Sequence, residues 1–219
     1  MKPFIRETGI AAPIEGRNID TDQLIPARFL KADRARGYGQ FLFHDLRFAG
    51  DGAERPGFVL NQEPFRRAAF LVADANFGCG SSREGAVYAL ADFGIRAVLA
   101  PSFGDIFHAN CLKNGVVPVC LGKEIAAGLR ARLAEGCPCE ITVDLDTLGV
   151  TLPGGECYGF ALDPFWRECL MKGVDEIALT LGYLPRIEAF EQAYAAAFPW
   201  ARGDDGTTTD GGGETDGAG

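Results

Sequence analysis

The sequence lacks any Cys-x-x-Cys pair, any apolar run long enough to span a bilayer, and any surplus of positive charge. Its longest apolar stretches, AAFLVA at 68–73 and AVLA at 97–100, fall far short of the ~20 residues a membrane helix needs, which excludes a membrane protein of that kind. The opening residues MKPFIRETGI have no continuous apolar core of the sort a secretion signal carries, so a cytoplasmic location is expected. Seven cysteines, an odd number at scattered spacings, make a poor disulfide framework and suit a reducing compartment. Cys137-Pro138-Cys139 comes nearest to a metal clip, but it has no second half, so both read as plain thiols and no metal is expected on this chain. The formal charge of −9 removes the basic footprint that nucleic-acid binding requires. Residues 201–219 lack every aliphatic side chain larger than alanine and hold five acids against Arg202. Nothing there can offset the entropy of ordering, and a disordered acidic, glycine-rich tail is expected.

With 219 residues, 47% of them apolar and 23% charged, the chain can bury a sizeable core. No repeat or linker interrupts residues 1–200, which are expected to form one α/β domain. Strands are predicted at AAFLVADA (68–75), IRAVLAP (95–101) and VVPVCL (116–121). Between them lie helices over 81–94, closed by Gly94, and over 103–114, with Ser102 as its N-cap and Gly115 past its end. Connections of that length imply parallel strands with helices on their faces. A further helix is predicted over 123–136 from the spacing of Ile125, Leu129 and Leu133. The period then changes, and CEITVDLD, GVTLPG and CYGFALD read as antiparallel hairpins. Asp163-Pro164 opens another helix, and Ile187 to Phe198 a last amphipathic one whose Ile187, Phe190 and Tyr194 stripe suits core or partner contact. Residues 28–56, rich in arginine, glycine and exposed-looking aromatics, follow no period and read as either a disordered insert or a functional loop.

The segment NFGCGSSREGA at 76–86 fits none of the common glycine-rich motifs. It has no lysine for a phosphate P-loop, Arg83 stands where a dinucleotide fingerprint needs its third glycine, and neither serine is flanked as in a nucleophile elbow. Its physics still favours an anion. Gly78 and Gly80 allow close backbone approach, Ser81 and Ser82 stand at a predicted helix N-terminus, and the Arg83 guanidinium suits a carboxylate. Ser82 as a plain helix cap, with Arg83 paired to a surface acid, explains the same residues. A Cys79–His108 pair is a further reading, since a cysteine beside a helix N-terminus can be activated.

NFGCGSSRE, together with IAAPIEGRNIDTDQLIPARFL before it and LAPSFGDIFHANCLKNGVVPV after it, resembles the small subunits of bacterial 3-isopropylmalate dehydratase, which are similar to the swivelling domain of aconitase. The resemblance spans residues 1–198. It implies a β/β/α swivelling-domain fold, a single mixed sheet with flanking helices, and a hydro-lyase that isomerises 2-isopropylmalate to 3-isopropylmalate through 2-isopropylmaleate in leucine biosynthesis. It also implies a large-subunit partner, in a heterodimer or heterotetramer, that carries a 4Fe-4S cluster, with no cofactor on this chain. By position, Ser81 resembles the catalytic base, Arg83 the carboxylate anchor and Ser82 a supporting donor. Asp20, Thr21 and Asp22 resemble a motif that positions the arginine and the glycine turn, although an Asx-type turn ahead of a Leu-Ile-Pro strand accounts for them as well. The segment after Pro26 corresponds to a substrate-recognition loop, in which Arg28, Lys31, Arg34 and Arg36 would meet the second carboxylate of a small hydroxy diacid.

Two departures stand out. Gly85 occupies the position at which such proteins read histidine (GSSREHA), and Ala35 the position of an arginine in a basic-Arg-Thr-Gly run. Both leave room for a related dehydratase acting on a methylmalate, dimethylmalate or homoaconitate-type acid, or for a protein of this kind without turnover.

Overall fold

The computed structural model describes residues 1–135 and 139–201; Cys137, Pro138 and the tail from 202 lie outside the described residues. The chain divides into two compact units, Met1–Glu176 and Ile177–Gly219. The first is built on β1 (Arg6–Pro13), α1 (Thr21–Leu24), α2 (His44–Arg47), β2 (Phe70–Val72), α3 (Glu84–Phe93), β3 (Ala97–Ala100), α4 (Asp105–Asn114), β4 (Val117–Cys120), α5 (Lys123–Ala134), β5 (Cys139–Asp144), β6 (Gly149–Thr151), β7 (Cys157–Gly159) and α6 (Pro164–Lys172). The seven strands form one sheet in the order β4-β3-β2-β1-β5-β6-β7.

The β4-β3-β2-β1 half is parallel and the β5-β6-β7 half antiparallel, with β1 joining them. β2 and β3, and β4 up to Val119, are buried on both faces, which is why they read as near-continuous apolar runs. Leu71 and Val98 point into one core, closed by Ala86, Val87 and Leu90 of α3 and Phe107 of α4. Phe70, Val72, Leu99 and Val119 point into the other, closed by Leu129 and Leu133 of α5 and Leu170 of α6. This alternation is the period-two geometry of a strand.

Helix ends follow the expected chemistry at most places. Gly94, Gly115 and Gly173 terminate α3, α4 and α6 in the left-handed conformation. The Asp163 side chain accepts from the Phe165 and Trp166 N–H groups at the start of α6. Two caps differ from expectation. Helix α3 begins at Glu84 with Arg83 at its N-cap and no side-chain cap, so Ser81 and Ser82 precede the helix and Ser82 caps nothing. Helix α4 is preceded by Gly104, while the Ser102 hydroxyl accepts the Asn76 N–H at 2.9 Å. No Leu-Ile-Pro strand forms either, because the turn at Asp20 runs directly into α1, with Asp20 Oδ1 accepting from Gln23 N at 2.8 Å.

Residues 28–56 contain no strand but fold as short 3-10 turns, at Ala27–Phe29, Arg34–Arg36 and Gly39–Phe41, followed by α2. Their aromatics are not a surface feature, since Tyr38, Leu42 and Phe43 are buried in the first core and Phe29 stacks on Phe41. Helix α7 (Glu176–Leu181) begins at the last residue of the first unit. The second unit contains α8 (Leu184–Ala197), which starts with Pro185 in its first turn. It extends the predicted helix by three residues at its start, and Phe190 stacks on Tyr194 along one side. Among the described residues no helix is long and apolar enough to cross a membrane.

Candidate active site

The parallel half of the sheet sends three connections to one place. The chain leaving β1 arrives at Thr21, the chain leaving β2 at Gly78–Arg83, and the chain leaving β3 at Gly104–Phe107. Together these residues line a cleft of about 210 Å³. A cleft outside the carboxyl ends of parallel strands is where open α/β sheets generally bind ligands.

Backbone hydrogen bonds hold the three connections together. Gly78 N donates to Ile19 O at 2.7 Å, Thr21 N to Cys79 O at 2.9 Å, and Gly104 N to Phe77 O at 2.9 Å. The Thr21 hydroxyl donates to Ser81 O at 2.8 Å. Gly78 has φ +72°, and a Cβ there would lie 2.1 Å from the Phe107 ring. A Cβ on Gly104 would lie 2.7 Å from Gly78 O. The glycines are thus demanded by chain passing directly over chain.

This packing leaves a row of unused donors. Among the described residues none accepts from the backbone N–H groups of Ser81, Ser82 or Arg83, and neither serine hydroxyl has a hydrogen-bond partner. Successive free N–H groups ahead of a helix are an anion-binding arrangement. The Arg83 guanidinium stands beside them, only 14% exposed and paired with Asp22. The Arg83 hydrogen bond, against the opposing effect of burial, holds the Asp22 carboxyl below its ordinary range. The site therefore presents a fixed cation, oriented N–H dipoles and an unengaged hydroxyl to one volume, which suits a carboxylate-bearing ligand.

The residues singled out from the sequence separate into three groups. Thr21, Gly78, Gly80, Ser81, Ser82 and Arg83 line the cleft. Asp20 and Asp22 stand behind them, one capping α1 and the other holding Arg83. The basic residues of 28–36 do not line it. Arg28 is engaged by Asp45 and also approaches His44 Nδ1 at 3.3 Å, and Arg34 is engaged by Asp92. Among the described residues Lys31 and Arg36 have no ionic partner. Cys79 lines the cleft, but His108 does not and shares no hydrogen bond with it. The His108 ring packs edge-on to Phe103 at 5.8 Å, and burial lowers its pKa against the pull of Asp105. Sequence reasoning gave no role to Gly104–Phe107, although a glycine ahead of Asp-Ile-Phe was the available sign of a second helix start at the cleft.

The family model for the aconitase C-terminal domain matches residues 1–124, and that for the C-terminal domain of 3-isopropylmalate dehydratase small subunits matches residues 176–204. A 3-isopropylmalate dehydratase small subunit of Rhodospirillum centenum is 49% identical over 93% of this chain and its own full length. Another from Roseobacter denitrificans is 50% identical over 91% of this chain and all of its own. The chain belongs to the 3-isopropylmalate dehydratase small-subunit family. A solved 3-isopropylmalate dehydratase structure (leuD) from Methanocaldococcus jannaschii shares the fold, with a TM-score of 0.59 and 24% identity over 86% of this chain and 99% of that one. The α/β swivelling-domain architecture common to the family is the mixed sheet described above. Its members are named as small subunits; among the described residues no group of three or more His, Cys, Asp or Glu is placed to hold a metal ion.

Proposed function

We propose that this chain is the small subunit of a cytoplasmic hydro-lyase that interconverts 2-isopropylmalate and 3-isopropylmalate through 2-isopropylmaleate in leucine biosynthesis, active only when the cleft is covered by a large-subunit partner. The iron–sulfur cluster such a reaction uses would belong to that partner, where it would act as a Lewis acid toward the departing hydroxyl. This chain's share is to hold one carboxylate and to move one proton. Arg83, held by Asp22, anchors the carboxylate, with the Ser82 hydroxyl as a further donor. Ser81 Oγ takes the proton from the carbon beside the one losing hydroxyl, and returns it when water adds back. A serine oxyanion is a usable base only where water is excluded and fixed dipoles stabilise it, which the free N–H groups and the guanidinium supply once the cleft is covered. Lys31 and Arg36, which have no ionic partner among the described residues, belong to the segment that would meet the second carboxylate.

The observation that carries this reading is the convergence of the unengaged Ser81 hydroxyl, the free N–H row and the Asp22-held Arg83 on one cleft. The test is anaerobic co-expression with the large subunit from the same genome and an absorbance assay for 2-isopropylmaleate. Ser81→Ala should lower kcat by at least about 100-fold while the complex still assembles. A wild-type complex with an intact cluster that does not turn over 2-isopropylmalate would sink the assignment, and other hydroxy diacids would then be screened on it.

A further inference from the structure

Segment 30–39 lies along α3 from its first turn to its last. At the near end, a Cβ on Gly85 would meet Leu30 Cδ2 at 3.0 Å, two residues from Arg83. At the far end, a Cβ on Gly39 would lie 2.7 Å from the backbone of Asp92 and Phe93. Both glycines remove a side chain where segment and helix touch, so the segment is seated on the helix itself.

What fastens it is Asp92. Its carboxylate receives the Arg34 fork, with Nη2 to Oδ1 at 3.0 Å, and the Tyr38 N–H at 2.6 Å. The Arg34 guanidinium also covers the Tyr88 ring at 4.4 Å, and the buried Tyr38 donates its hydroxyl to Ala32 O at 3.0 Å. The Asp33 side chain caps the Arg34–Arg36 turn and Gly37, at φ +75°, ends it. An acid in the last turn of a helix faces the negative end of the helix dipole, and Asp92 is only 23% exposed. Neither its position nor its burial favours a carboxylate there. Arg34 and the Tyr38 N–H offset both, so the residue makes sense as an anchor for the segment and not as part of the helix.

We infer that Asp92 and Arg34 are positioning residues that latch segment 30–39 onto α3 and thereby fix the segment bearing Lys31, which follows Leu30 at the Gly85 seat, for receiving substrate. This rests on the function proposed above. The latch is a helix length from Ser81 and touches nothing that reacts, so its loss should weaken substrate binding and leave the chemical step alone.

The test uses the assembled two-subunit enzyme carrying Asp92→Asn, which keeps an acceptor for the Tyr38 N–H, Arg34→Ala, and both together. KM for 2-isopropylmalate should rise by about tenfold in each single variant with kcat within about threefold, and the double variant should be no worse than either. Arg34→Lys, which retains the ion pair, should recover most of the KM. Amide hydrogen exchange over residues 29–41 of the same complexes should quicken in Asp92→Asn while the strands stay protected. An unchanged KM, a fall in kcat alone, or exchange equal to wild type would each overturn the latch. If the wild-type complex does not turn over 2-isopropylmalate, the proposed function fails, and the exchange measurement still decides whether the latch exists.

Discussion

Gly78 carries more constraint than any other residue at the cleft. Its positive φ disfavours a side chain, and the Phe107 ring fills the volume that even a methyl would need. Gly78→Ala should therefore cost about 2–4 kcal/mol, the sum of left-handed strain and overpacking, read as a lower urea midpoint at an unchanged slope. At this scale the glycine turn was legible: Gly78, Gly80, both serines and Arg83 lie together in sequence, and their joint preference for an anion needs no distant partner. The arginines of the 28–36 segment were not. Arg28 and Arg34 look like free cations in a line of text, yet their carboxylates, Asp45 and Asp92, stand 17 and 58 residues away. Only the fold reveals which cations are already spoken for. Gly85, a departure from the family pattern, likewise gains its meaning from Leu30, which packs where a side chain would go.

Among the elements, α6 shows how local chemistry sets a boundary. The Asp163 carboxylate takes two N–H groups that the helix leaves unpaired. Asp163→Ala should cost about 1 kcal/mol, measurable as a small fall in Tm of the isolated protein. Apolar runs for the strands, and the closing glycines Gly94 and Gly115 for α3 and α4, made β2, β3, β4 and those helices readable. Strand β1 gave no such signal, because RETGIAAP mixes a polar start with glycine and proline. It is a strand because β2 and β5 flank it, and a Cβ on Gly9 would lie 2.7 Å from Ala69 Cβ. The 28–56 segment was unreadable for a different reason: 3-10 turns of three residues leave no period for apolar residues to follow. Its buried Tyr38, Leu42 and Phe43 are held by tertiary packing, and by bonds such as that of the Tyr38 N–H to Asp92, that no local pattern announces.

For the whole molecule, acid should be the more damaging extreme of pH. Among the described residues, four aspartates have carboxyls below the ordinary range. An Arg83 hydrogen bond lowers Asp22, and an Arg28 hydrogen bond lowers Asp45 to about 2. The Ala75 N–H, with Arg130, lowers Asp74. Burial works to raise Asp92, but Arg34 and the Tyr38 N–H outweigh it. A depressed folded-state pKa means that the unfolded chain binds more protons, so stability is fully present above the unfolded value near 3.8 and is lost as pH falls below it through each folded-state value. The exposed pairs of Asp22 and Asp45 contribute little after solvent screening. Urea midpoints measured between pH 5 and 2.5 should fall, and Asp92→Asn should flatten part of that fall.

The arrangement of the sheet has a practical corollary. Every residue lining the cleft is delivered by β1, β2 and β3, and none by β5, β6 or β7. The exposed Pro153-Gly154-Gly155 turn between β6 and β7 thus belongs to the half of the sheet that supplies nothing to the cleft lining. It is a natural place to splice in a label, a tether or new chain termini without disturbing the chain that forms the cleft.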